Sequence, residues 1–255
     1  MRAVLAIAKR ELGGFFSTPM GWLCLVGFVV ISGFFFALMT SEFSVQATQA
    51  AFNPYLDDQV SLNEWLIQPF FANTSVILLM ISPAISMRLL AEDRRQRSIE
   101  LLLSSPISSG QIVLGKYLGA MGFVTAMLTT TLPLMGLLYW WGTPDTGVVM
   151  SCYAATWLMA ASFIAVGLLT SAMTENQIVA LILGFGLLLV LWLLTMANTI
   201  IDGPVGEVLS GISMLSHLDQ LMKGLLHSSD IFYFVSFIAF FLFATTQRVE
   251  AYRWR

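Results

Sequence analysis

Residues 176–201, NQIVALILGFGLLLVLWLLTMANTII, contain no Asp, Glu, Lys or Arg. About 20 mostly apolar residues in a helix cross the roughly 30 Å of bilayer hydrocarbon, so this run is long enough to span. The same four residue types are missing from 12–41, 65–87, 117–144, 146–174 and 231–247. Each stretch can hold one helix, the last being the shortest and suited to a tilted or short span. The Trp140-Trp141-Gly142-Thr143-Pro144-Asp145 segment separates two of them as a turn with interfacial tryptophans. The reading is an all-α, polytopic membrane protein with six transmembrane helices at 20–40, 66–90, 110–140, 147–173, 177–199 and 231–247.

Composition agrees. Hydrophobic residues make up 57% of the 255 and charged residues 11%, with a mean hydropathy of +0.81. Soluble domains carry roughly 25% charged residues. A single transmembrane domain over 1–255 follows. The first apolar run comes after Lys9, Arg10 and Glu11, is too long for a signal-peptide core and precedes no A-x-A site, so it is expected to remain as an anchor. Cys24 and Cys152 have no partner at metal-ligand spacing and read as apolar fillers.

The charges sort by side. Eleven of the 12 basic residues (Arg2, Lys9, Arg10, Arg88, Arg94, Arg95, Arg97, Lys116, Arg248, Arg253 and Arg255) fall on one side of the six-span arrangement, and Lys223 on the other. Positive residues accumulate in cytoplasmic loops, so both termini are expected in the cytoplasm. Glu42, Asp57, Asp58, Glu64, Asp145, Asp202, Glu207, Asp219 and Asp230 collect on the opposite side.

Three segments are not spans. In 1–18, Leu5, Ala8, Leu12, Phe15 and Phe16 recur at helical spacing among charges, which predicts an amphipathic helix lying in the cytoplasmic interface. Gly13-Gly14 and Pro19 are expected to turn the chain into the bilayer, and Ser41 to about Asn63 reads as a polar outer loop. Residues 200–230 mix Gly203-Pro204, Gly206, Gly211 and Gly224 with apolar residues at helical spacing, predicting short outer re-entrant helices before the last span. His217 and His227 lie there; with Asp219 or Asp230 they make a poor metal set, and solvent-facing or capping roles suit them better.

Several chemistries are missing from the pattern. The chain has no G-x-x-x-x-G-K-[ST] loop, no H-E-x-x-H and no G-x-S-x-G. No carboxylate lies in a span and no charge lies near the middle of one, whereas ion-coupled carriers place ionisable groups near mid-membrane. No cofactor, metal, catalytic set or nucleic-acid partner is expected. Energy for any transport must come from a partner.

The segment 91–107 leaves the second span with mixed charges, then an apolar patch, then Pro106. Ser98 is placed to cap a short helix carrying Ile99, Leu101, Leu102 and Leu103, with Glu100 in its first turn. Ser108 and Gln111 form a capping box that starts the third span. A leucine patch on charged struts suits a docking knob for a soluble partner; a solvated loop that only sets topology is the alternative.

Ala91-Glu92-Asp93-Arg94-Arg95, then Ser98-Ile99-Glu100-Leu101-Leu102-Leu103-Ser104-Ser105-Pro106 and Ile112-Val113-Leu114-Gly115-Lys116, resemble ABC type 2 transporter permeases, nearest the gliding-motility-associated (GldF-like) subgroup. The likeness extends through Lys9-Arg10-Glu11-Leu12, Phe15–Pro19, Gly167–Ala180, Ser216–Asp219 and Gly224–Phe234. Arg97-Ser98 stand where the family usually has Gly-Thr. The resemblance implies the ABC type 2 exporter fold, with a cytoplasmic coupling helix facing an ATPase. It assigns the ATPase coupling interface to Glu92, Arg94, Arg95, Ser98, Glu100, Leu101, Leu102, Leu103 and Pro106, with Lys9 and Glu11. It implies separate ATP-binding cassette subunits, a second permease copy or related subunit, a companion with a large periplasmic domain, and the lipid of a bacterial inner membrane. A transducer passing ATPase work to a periplasmic partner without moving substrate is the alternative function.

The charge split sets a first test. Cysteines placed at Asp58 and Glu207 should react with an impermeant thiol reagent in intact cells, and one at Gln96 should not; labelling at Gln96 would overturn the six-span topology.

Overall fold

The computed structural model describes residues 2–52, 61–96, 107–194, 211, 213–224 and 227–253. Every regular element among them is helical. In chain order they are α1 (Arg2–Ser17), α2 (Pro19–Phe52), one π-helical turn (Asn63–Ile67) leading into α3 (Gln68–Arg95), α4 (Ser109–Thr129), α5 (Leu132–Trp141), α6 (Thr146–Met173), α7 (Gln177–Leu193), α8 (Met214–Met222) and α9 (Ser228–Arg253). Five stretches are long and apolar enough to cross a membrane: α2, the π turn with α3, α4 with α5, α6, and most of α9. The sixth apolar helix, α7, has 17 described residues and spans about 26 Å. The chain is an all-α polytopic protein.

The helix starts follow the local sequence. Ser108 and Gln111 cap α4 reciprocally, as their spacing predicts. The Asp145 side chain accepts from the Gly147 N–H at 2.8 Å to start α6, and Asn176 accepts from Ile178 at 2.9 Å to start α7. Gly224, at φ 81°, takes the left-handed conformation that follows α8.

Several boundaries differ from the expectations. Gly13-Gly14 do not bend the chain: α1 runs through them, and the break falls at Thr18-Pro19, where the Thr18 hydroxyl bonds the Gly14 carbonyl at 3.0 Å. α2 continues for three turns past residue 40, so Ser41–Phe52 is helix where a loop was expected. Its Glu42, Gln46, Ala47, Gln49, Ala50 and Ala51 are mostly good helix formers, and no Gly or Pro interrupts them. The third span is broken between α4 and α5: Pro133 has no N–H for the Thr129 carbonyl, and the ladder lapses at Thr130-Thr131. In the outer segment only Gly211, 213–224 and 227–230 are described, and α8 lies against α6 with Leu218 and Leu221 buried.

α6 is the most buried span and packs on α3, α7, α8 and α9. Its seam with α3 is built from small residues. A Cβ on Gly167 would lie 2.7 Å from Ser86 Cβ, so these backbones approach as only glycine permits. Inside a bilayer, helices gain nothing by leaving lipid for each other except packing and interhelical hydrogen bonds, and small residues secure both. α1 is docked in the same way. Cβ atoms on Gly115 and Gly119 of α4 would sit 2.7 Å from Ile7 and Glu11 respectively. Phe15 stacks on Phe123 of α4 at 4.7 Å. The amphipathic helix is therefore fastened to the bundle along one whole side.

Gly167→Ala should overpack the α3–α6 seam and cost about 1–3 kcal/mol, read as a lower unfolding temperature in detergent. Gly136→Ala, where a Cβ meets open space, should leave it unchanged.

Candidate functional site at the basic end of the bundle

The charged residues flagged by sequence converge where α3 ends. Lys116, in the second turn of α4, has 2% of its side chain exposed. Its ammonium lies 2.9 Å from Glu11 Oε1 of α1 and 2.6 Å from Asp93 Oδ2 of α3. One cation thus joins three helices. Arg10 adds a second contact to Glu11 at 3.1 Å. Burial alone would push the Glu11 carboxyl upward; the Lys116 ammonium, aided by Arg10, outweighs it and holds the group below its ordinary range.

A second clamp holds the other side of the same turn. Arg94 donates to the Ala172 carbonyl at 2.8 Å, pairs with Glu175 at 3.3 Å, and hydrogen-bonds the Tyr252 hydroxyl of α9 while its guanidinium covers that ring. One turn earlier, Ser171 of α6 reaches into the α3 ladder. Its hydroxyl donates to the Met87 carbonyl at 2.9 Å and accepts from the Leu90 and Ala91 N–H groups, each at 3.1 Å. Arg88 donates to the Thr18 hydroxyl at 2.8 Å and lies over the Phe15 ring, closing the α1–α2 corner. The last turns of α3 are bound to α1, α4, α6 and α9 at once.

The expected site residues divide accordingly. Glu11 and Arg94 face into these clamps. Glu92 accepts from Gln96, the residue just past the end of α3, at 3.2 Å, while Lys9 and Arg95 are exposed. Ser98, Glu100, Leu101, Leu102, Leu103 and Pro106 lie outside the described residues. Sequence reading missed Lys116, Asp93, Ser171, Glu175 and Tyr252 as participants. A lone lysine one residue before a long apolar run, and a glutamate isolated on a docked helix, were the available signals. At the far end, His217 pairs with Asp230 at 2.7 Å and stacks on Tyr233 at 4.2 Å. Burial pushes the nearby Asp219 carboxyl upward, with Lys223 opposing.

A family model for ABC-2 family transporter proteins matches residues 5–247. The chain belongs to the ABC-2 transporter family. No curated protein matches it at a significant level. In ABC-2 terms the chain is a membrane transport subunit, and the family works with ABC ATPases. The family match takes in both clamps except Tyr252.

Two outcomes test the buried cluster. Lys116→Met removes the ammonium shared by Glu11 and Asp93, leaving Arg10 on the exposed side of Glu11, and should cost about 3–5 kcal/mol; adding Glu11→Gln and Asp93→Asn should recover most of it. Because Glu11 titrates below its ordinary 4.5 in the folded chain, its stabilisation is present above that pH and fades as pH falls through the folded value. Unfolding curves below about pH 4.5 should therefore be flatter for Glu11→Gln than for the wild type.

Proposed function

We propose that this chain is the permease subunit of an ATP-driven exporter in a bacterial inner membrane, with both termini in the cytoplasm. The observation that carries the reading is the fastening of the last turns of α3, directly before 97–106, to α1, α4, α6 and α9. A push on the coupling segment would move these helices together rather than bend one of them. The leucine patch Leu101–Leu103, with Glu100, Ser98 and Pro106, would dock the ATPase. Glu92 and Arg95 border that dock, while Arg94 and Glu11 transmit the load. Six helices make half a pathway, so a second copy or a related subunit completes it. Likeness to the gliding-motility-associated subgroup supports a companion with a large periplasmic domain.

One observation favours the transducer reading. α2 has 34 residues, about 51 Å, and so extends some 20 Å beyond the hydrocarbon. A post of that length could hand motion to a partner outside the membrane. Stimulation of ATP turnover by a transported molecule in liposomes marks the exporter, and its absence with turnover intact marks the transducer.

Docking and transmission separate by mutation. Leu102→Asp places a charge in the apolar patch, at a desolvation cost of several kcal/mol if a partner buries it, and should abolish co-purification of the ATPase. Arg94→Gln should leave co-purification intact and lower ATP turnover by the complex. Normal binding and turnover in both would reduce 91–107 to a topology signal.

A further inference from the structure

α1 has two sides of opposite character. Ile7, Glu11 and Phe15 face the bundle. Arg2, Leu5, Ala6, Lys9, Arg10, Gly13 and Phe16 are exposed, at spacings of three and four that run down the other side. All three cations of α1 lie on that side, and its one carboxylate does not: Glu11 is turned inward to Lys116. Arg10 touches Glu11 yet keeps 59% of its side chain exposed. The charged groups of the neighbouring helices, Lys116, Asp93 and Arg88, all meet the inner side.

An apolar strip borders these cations. Leu5 is 64% exposed, Phe16 39% and Trp22 of α2 53%. The Trp22 indole N–H donates to the Phe16 carbonyl at 2.8 Å, locking the strip across the α1–α2 corner. It continues into Leu23, Val26 and Val30, exposed residues of the first span. An acidic protein surface would match the cations but not a strip that runs into hydrocarbon. An anionic lipid matches both, with a phosphate beside an acyl chain.

We propose that the exposed side of α1 binds anionic phospholipid, the headgroup held by Arg2, Lys9 and Arg10 and an acyl chain lying along Leu5, Phe16 and Trp22. Lys9 then serves the membrane rather than the ATPase. The proposal rests on the cytoplasmic placement of α1, which the Gln96 labelling checks separately.

The test uses the full-length chain in neutral detergent, titrated with phosphatidylglycerol or with phosphatidylcholine of the same acyl chains, bound lipid being read by native mass spectrometry. The wild type should prefer phosphatidylglycerol at least tenfold. Each cation removed should cost roughly fivefold, so combined Arg2→Gln, Lys9→Gln and Arg10→Gln should erase the preference, while Arg95→Gln keeps it. Leu5→Ser with Phe16→Ser should weaken both lipids alike. If the triple variant does not insert, the wild type still decides: its preference should collapse at about 1 M salt, where screening reaches about 3 Å. Equal affinity for the two lipids in the wild type, or a preference that survives the triple substitution or the salt, overturns the proposal. So does release of a co-purified ATPase by the triple variant with lipid preference unchanged, which would make this side a protein dock.

Discussion

An ammonium group buried among helices has to be matched, because an unpaired charge in that setting costs several kcal/mol. Lys116 is matched twice, by Glu11 and by Asp93, and the requirement ties α1, α3 and α4 to one point. The close contact of Gly115 and Gly119 with Ile7 and Glu11 lays α1 almost against the α4 backbone and places the carboxylate beside the ammonium. Phe15 then stacks on Phe123, and Arg88 closes the corner above it.

The α3–α6 seam answers a different constraint. Neither helix gains hydrophobic free energy by leaving lipid for the other, so contact has to come from fit and polar bonds. Gly167 against Ser86 supplies the fit. Ser171 supplies the bonds, at Met87, Leu90 and Ala91. A hydroxyl inserted into a helix ladder is also a recognised cause of bending. It sits one turn before Arg94, so α6 holds α3 at two successive turns.

Much of this was legible in the sequence, for reasons that can be named. Charge-free runs report the lipid directly, since charge in hydrocarbon is costly. The Ser108–Gln111 capping box is local chemistry and appears as read. Hidden features were those depending on partners distant in sequence. Lys116 looks like a topology-setting lysine until Glu11 and Asp93 are brought to it across 105 and 23 positions. The contact of Arg94 with Tyr252 joins residues 158 positions apart. The extension of α2 was missed because polar composition was taken for loop, though Ser41–Phe52 contains neither Gly nor Pro.

A well-packed apolar contact in place of Lys116 and its two carboxylates would hold the same helices at least as firmly, so stability alone does not account for buried charge. Register does. Ile7 against Gly115 and Phe15 on Phe123 already favour one position of α1, and a shift by a turn, about 5.4 Å, would also part Glu11 from Lys116. A carboxylate shifted by that distance no longer reaches the ammonium. The ion cluster therefore makes one position of α1 far better than its neighbours, and the shared ammonium carries the same discrimination to α3. Under the proposed function, in which the subunit receives displacement from an ATPase, a fixed register is the more valuable property, because a joint that slipped under load would absorb the motion it has to pass on.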